Sequence, residues 1–150
     1  MREAFGNLWD LAKGKVLVLT TNGTIRKDGA CVMGRGIAKE AKMKFPRLPY
    51  KLGSLIKASG NNVYDLGTFS GYRIISFPVK HNWWEQANIE LIKRSARQLV
   101  KMADAFGWQE VYLPRPGCGN GRLRWEDVRS VLASVLDDRF IVCTWKEGKV

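Results

Sequence analysis

Two glycine-rich stretches are the parts of this sequence whose residue types and spacing suit chemistry. The first runs from Thr21-Asn22-Gly23 through Gly29 to Met33-Gly34-Arg35-Gly36 and leads into Ile37-Ala38-Lys39-Glu40. The second is Gly117-Cys118-Gly119-Asn120-Gly121, a few residues before Trp125. Glycine lets main-chain N–H groups approach a ligand with no Cβ between them, and a helix N-terminus adds partial positive charge to those groups. Two such loops at helix starts make a cradle for phosphate. The dinucleotide fingerprint is excluded, because Met33–Gly36 lacks the third glycine at its offset. No Gly-Lys-Ser/Thr occurs, which excludes the nucleoside-triphosphate loop.

These loops need strands and helices to hold them. Lys15–Thr21 is a continuous aliphatic and β-branched run, suited to a central strand buried on both faces. Met33, Ile37, Ala41 and Phe45 recur at helical spacing until Pro46. Val63–Leu66 and Tyr72–Phe77 read as a hairpin turned at Ser70-Gly71. Ile89, Ile92, Ala96, Leu99, Val100 and Ala103 form the stripe of a long helix. Val111–Leu113 is a strand feeding the second glycine loop. Val128, Val131, Leu132, Val135 and Leu136 mark a third helix, and Phe140–Trp145 a closing strand. Strands alternating with helices predict an α/β protein, a layered sandwich with a mixed, largely parallel sheet. In such folds ligands sit outside the carboxyl ends of the strands, where both glycine loops fall.

Composition narrows the class. The 150 residues are 45% hydrophobic and 11% aromatic, enough for one core, and residues 1–150 read as one domain. No run approaches the roughly 20 apolar residues of a membrane span and no signal segment opens the chain, so the expectation is a cytoplasmic protein with no membrane partner. Three widely spaced cysteines, Cys31, Cys118 and Cys143, support neither a disulfide framework nor a zinc site, and no metal or cofactor is expected. The net charge of +11 favours anionic partners. Residues 31–60 hold seven basic side chains, among them Lys39 and Lys42, against the single acid Glu40; this face suits nucleic acid or simply a solvated helix.

LTTNG at 19–23, VMGRGIAKEA at 32–41, FPVK at 77–80 and PGCGNGRLRWEDV at 116–128 resemble, in order, the four signature segments of a macrodomain. The similarity is greatest to the branch of terminal ADP-ribose protein glycohydrolase and the DarG antitoxins. It implies a three-layer α/β/α sandwich that binds ADP-ribose in a cleft over the sheet. It also implies roles. Asn22 matches the asparagine contacting the distal ribose; Gly34, Arg35, Gly36 and Ile37 match the loop around that ribose and the diphosphate; Gly117, Cys118, Gly119, Asn120 and Gly121 match the second phosphate loop. Gly6-Asn7-Leu8 aligns with a Gly-Asp-aliphatic step whose acid recognises the adenine amino group, here replaced by the uncharged Asn7.

The resemblance makes Lys80 the candidate catalytic residue. An amine whose pKa is lowered by desolvation or neighbouring cations becomes a nucleophile for the anomeric carbon, and as a cation it steadies a departing anion. The glycohydrolase's second-loop aspartate is Gly121 here, which matches the antitoxin pattern; other acids, such as Asp28 and Glu85, lie near the loops in sequence. His81 is a proton donor or a plain loop histidine. Trp83 and Trp84 are expected to stack on a base or line the cleft, with one packing inward, and Trp125 is assigned to the core. Cys118 faces an anion site that would lower its pKa, yet is read as a packing residue. Three functions follow: hydrolysis of an ADP-ribosyl link to protein or nucleobase (or dephosphorylation of ADP-ribose 1″-phosphate), binding of ADP-ribose without turnover, or nucleic-acid binding through the basic face.

Overall fold

The computed structural model describes residues 1–144. In chain order the elements are β1 (Arg2–Phe5), α1 (Leu8–Leu11), β2 (Val16–Thr21), α2 (Gly36–Lys44), α3 (Leu48–Ser59), β3 (Tyr64–Phe69), β4 (Tyr72–Pro78), α4 (Ile89–Phe106), β5 (Val111–Pro114), α5 (Trp125–Ala133) and β6 (Phe140–Thr144). The strands form one sheet in the order β1-β6-β5-β2-β4-β3. Every pairing is parallel except that of β3, which runs antiparallel to β4 as an edge strand.

Alternation along β2 divides the core. Val16 and Val18 join Ile75, Phe77 and the inner faces of α4 and α5; Leu17 and Leu19 join Ile74 and the inner faces of α1, α2 and α3. The result is the α/β/α sandwich expected, because a strand that is apolar at every position must be covered on both sides. Each fully buried Leu or Phe stabilises this arrangement by roughly 1.5–3 kcal/mol. Asn88 starts α4 by accepting a hydrogen bond from the Leu91 N–H (2.9 Å), and Gly107 in the left-handed region ends it.

Several boundaries differ from the sequence reading. Helix α2 starts at Gly36, so Met33 is buried in the preceding loop rather than on the helix. Strand β3 runs on to Phe69 through an irregularity between Asp65 and Gly67. Helix α5 stops at Ala133, although Leu136 beyond it still enters the core. Trp145 lies outside the described residues. Helix α3 was not expected at all: Gly53 in its middle argues against a helix, yet a Cβ there would sit 1.9 Å from the Gly29 carbonyl oxygen. The glycine lets the helix backbone touch the first glycine loop, where the Cys31 N–H also donates to the Pro49 carbonyl (2.9 Å). No helix among the described residues is long and apolar enough to cross a membrane.

Candidate functional site

Strands β5, β2 and β4 are neighbours, and their carboxyl ends release the second glycine loop, the first glycine loop and the Val79-Lys80 segment side by side. Between these loops lies a cleft of two chambers, about 720 and 670 Å³, which share Ile37, Pro114, Arg115 and Gly119 in their walls.

The larger chamber is lined by both glycine loops and the Val79-Lys80 segment. Arg35, the residue before α2, is extended and its side chain caps nothing, so the first N–H groups of α2 remain open at the chamber wall. Gly36 has φ 56°, a conformation that positions this helix start. The opposite loop is tightly packed: a Cβ at Gly117 (φ 74°) would lie 2.8 Å from Ile92 Cδ1, and one at Gly121 would lie 2.5 Å from the Gly117 carbonyl oxygen. At Gly34 and Gly119, by contrast, a Cβ would meet nothing within 4 Å.

Lys80 stands at this chamber. Its Nζ donates to the carbonyl oxygens of Trp83 (3.2 Å) and Asn120 (3.5 Å), which holds the amine between the two loops. Partial burial, and then the nearby Arg122 and Arg35 guanidinium groups, hold its pKa below the ordinary lysine value. Asn22 also lines the chamber, but its amide braces the loop: Nδ2 donates to the Val32 carbonyl (2.9 Å) and Oδ1 accepts from the Thr24 N–H (2.9 Å).

The smaller chamber is walled by side chains, chiefly Leu8, Trp9, Ile37, Leu123 and Trp125. Asn7 sits at its entrance. Its Oδ1 accepts from the Trp9 N–H (2.8 Å) and so caps α1, which leaves the amide NH₂ as its outward group. Arg115 stands at the junction of the chambers with its guanidinium 4.7 Å from the centre of the Trp125 ring. Its Nε is buried and has no hydrogen-bond partner, so this cation has an unused donor in the cleft wall.

A family model for the Macro domain matches residues 28–132. The chain belongs to the macrodomain family. A relative described as DNA ADP-ribosyl glycohydrolase, from Thermus aquaticus, is 30% identical over 146 residues, covering 91% of this chain and 38% of the relative. The chain spans about a third of the length of the curated relatives it matches. The solved macrodomain of Thermus aquaticus DarG superposes with a TM-score of 0.78 at 27% identity, covering 97% of each chain. Thermosipho africanus DarTG in complex with ADP-ribose superposes with a TM-score of 0.79 at 20% identity, covering all of this chain and 43% of that one, a likeness of fold.

In this macrodomain the residues singled out from sequence line one cleft: Asn7, Leu8 and Cys118 the smaller chamber, Asn22, Lys80 and Asn120 the larger, with Ile37 between. Other expectations are refined or corrected. Trp125 packs against the core as expected, but only half-buried: α5 starts at the cleft edge, and its first residue also lines the smaller chamber beside Arg115. Neither Trp83 nor Trp84 packs inward; both are exposed, in the turn before α4. Burial pushes the Cys118 thiol up to about 11 rather than down, which fits its packing role. His81 is exposed, and it is its carbonyl that serves the loop by accepting from the Gly23 N–H (3.1 Å). Asp28 lies in a separate hollow bonded to Tyr50 (3.2 Å), away from Lys80, whereas Glu85 lines the rim hollow with Lys80 and accepts from the Asn82 N–H (2.7 Å). Of the basic run, Arg35 lines the cleft, whereas Lys44 and Lys51 cover the Trp9 and Phe69 rings.

Arg115 was missed. The signal was present: a cation at the end of an apolar strand, immediately before a glycine loop, is placed where a phosphate-binding fold needs charge.

Proposed function

We propose that the protein binds ADP-ribose across both chambers and hydrolyses its link to a nucleobase of DNA, with Lys80 as the active group. The observation that carries this reading is the Lys80 amine, held at the larger chamber with a lowered pKa. The adenine lies in the apolar chamber against Leu8 and Trp125. The diphosphate crosses the junction at Arg115 and the open N-terminus of α2, and the distal ribose reaches Lys80 beyond Asn22. The names of the relatives, DNA ADP-ribosyl glycohydrolases, support the substrate class.

The net reaction breaks the bond from the anomeric carbon to the base; water supplies the hydroxyl to that carbon and a proton to the departing base. The neutral amine has two N–H bonds for its two carbonyl partners, which leaves its lone pair to bond the anomeric carbon as the base departs with a proton from the amine. Water then breaks that new bond, giving its hydroxyl to the carbon and a proton back to the amine. No aspartate assists from position 121, because a Cβ there collides with the Gly117 backbone. That missing carboxylate favours a second reading, a module that holds ADP-ribose without turnover.

One experiment separates the two. Calorimetric titration with ADP-ribose, together with release of ADP-ribose from an ADP-ribosylated oligonucleotide, is run on the parent and on Lys80→Ala. Turnover lost with binding retained in the variant supports the hydrolase; binding without turnover in the parent leaves the module; no binding in the parent sinks both. Lys80→Ala is the cleaner variant, since Asn22→Ala also unbraces the loop between Asn22 and Val32.

A further inference from the structure

The rim of the larger chamber carries a pair of exposed tryptophans. Trp84 is 61% exposed and Trp83 47%. The two rings meet edge to face, their centres 6.0 Å apart and their planes at 89°. They share a hollow of about 220 Å³ with Arg35, Lys80 and Arg122, where the sole acid is Glu85. The Glu85 carboxylate accepts from the Asn82 N–H (2.7 Å), and the three cations outnumber its single negative charge, so the field over the rings is net positive. The turn is also fixed in place: the Trp83 N–H donates to Thr24 Oγ1 (3.0 Å), and the Trp83 carbonyl accepts from Lys80 Nζ (3.2 Å).

We propose that Trp83 and Trp84, with Arg35 and Arg122, form a docking platform for single-stranded DNA at the mouth of the cleft. This rests on the ADP-ribosyl hydrolase reading and names the polymer that presents the modified base. Exposed aromatic faces among guanidinium groups suit a polyanion that carries flat π surfaces, and base stacking on aromatics is the usual basis of sequence-tolerant strand binding. A duplex hides those surfaces in its own stack. The perpendicular rings add a geometric condition, since two successive bases of a continuous stack are parallel and cannot lie on both faces. A strand that seats one base on Trp83 and a neighbour on Trp84 must turn between them. That turn splays one nucleotide away from its neighbours. The splayed nucleotide is then beside Lys80, because Trp83 lines both the rim hollow and the larger chamber.

The test uses fluorescence anisotropy of the full chain with a labelled, unmodified, mixed-sequence single-stranded DNA oligonucleotide, its duplex and the RNA of the same sequence. Calorimetry with ADP-ribose runs beside it on each variant. Trp84→Ala is expected to weaken single-strand binding by about tenfold and Trp84→Phe to restore most of it, with ADP-ribose affinity unchanged in both. Duplex is expected to bind more weakly than single strand, and DNA at least as tightly as RNA. The platform is overturned if the parent fails to bind the strand, if Trp84→Ala binds it as the parent does, or if duplex or RNA binds more tightly. It is equally overturned if binding follows charge reversal at Lys39 and Lys42 instead. Failure of the hydrolase reading shows separately, as a parent that does not bind ADP-ribose or does not release it from an ADP-ribosylated oligonucleotide.

Discussion

The two chambers of the cleft are built from different materials. The larger one gathers both glycine loops, an uncapped helix start and two carbonyls gripping one lysine. The smaller one consists of side chains, an apolar slot closed by Trp125 and the capped turn at Asn7. A backbone-built chamber tolerates almost no change at the residues that set its path, whereas a side-chain-built one can be retuned residue by residue. The first suits an invariant diphosphate and ribose; the second suits the part of a ligand that distinguishes it from its relatives.

The sharpest way to press this difference is at Lys80. Lys80→Ala is expected to lower the single-turnover rate by at least ~10²-fold while ADP-ribose affinity changes little. Because the Lys80 pKa is lowered, the neutral amine accumulates as pH rises through that lowered value. The parent's rate should therefore rise over this interval and then level off; a rate that falls over the same interval assigns the lysine a cationic role instead. The next largest effect is expected at Gly117. A methyl there meets Ile92 in a positive-φ backbone, so Gly117→Ala should cost about 2–3 kcal/mol, read as a lower Tm and lost ADP-ribose binding. Gly34→Ala, with open space around it, should stay within about 0.5 kcal/mol of the parent. Both glycines line the larger chamber, so equal effects would mean that the open space around a glycine does not set its tolerance there.

At the junction, Arg115→Ala removes a cation with an unused buried donor. ADP-ribose affinity should fall by roughly 1.5–3 kcal/mol, tenfold or more, and adenosine affinity by much less. If both ligands weaken equally, Arg115 acts through its packing on Trp125 and not on phosphate. Cys118 reports on the packing of the smaller chamber. With its thiol pushed up to about 11, alkylation by iodoacetamide at pH 8 should run roughly 10²-fold slower than for a free cysteine. Rapid labelling would mean that the side-chain chamber opens far more than its packing suggests.

The sequence made the backbone-built chamber readable and left much of the other hidden. Glycines at 36, 117 and 121 announce themselves because nothing else fits their backbone, and Lys80 follows a recognisable Phe-Pro-Val step. The apolar run of β2 gave away a sheet covered on both sides. Trp125 did not reveal its place, since a tryptophan at a helix start reads the same whether it faces a core or a cleft. Helix α3 was obscured by Gly53, whose purpose appears only when the Gly29 carbonyl is seen against it. Asn7 was visible as the replacement of an acid, but the commitment of its carbonyl to Trp9 depends on a four-residue helix too short to leave a periodic pattern.

The pairing of β1 with β6 has a consequence for the order in which the site comes into being. The Gly6 N–H donates to the Thr144 carbonyl (2.9 Å), and residues 6–9 share the wall of the smaller chamber with Cys143 and Thr144. As the chain leaves the ribosome, every wall of the larger chamber emerges before the strand that completes the smaller one. Strand β6 is therefore the last element of the cleft to form, and its pairing with β1 joins segments about as far apart in sequence as the described chain allows. A ligand spanning both chambers then acts as a strap across this last-closed seam, slowing the exchange of the β1 and β6 amides more than those of β2 and β4.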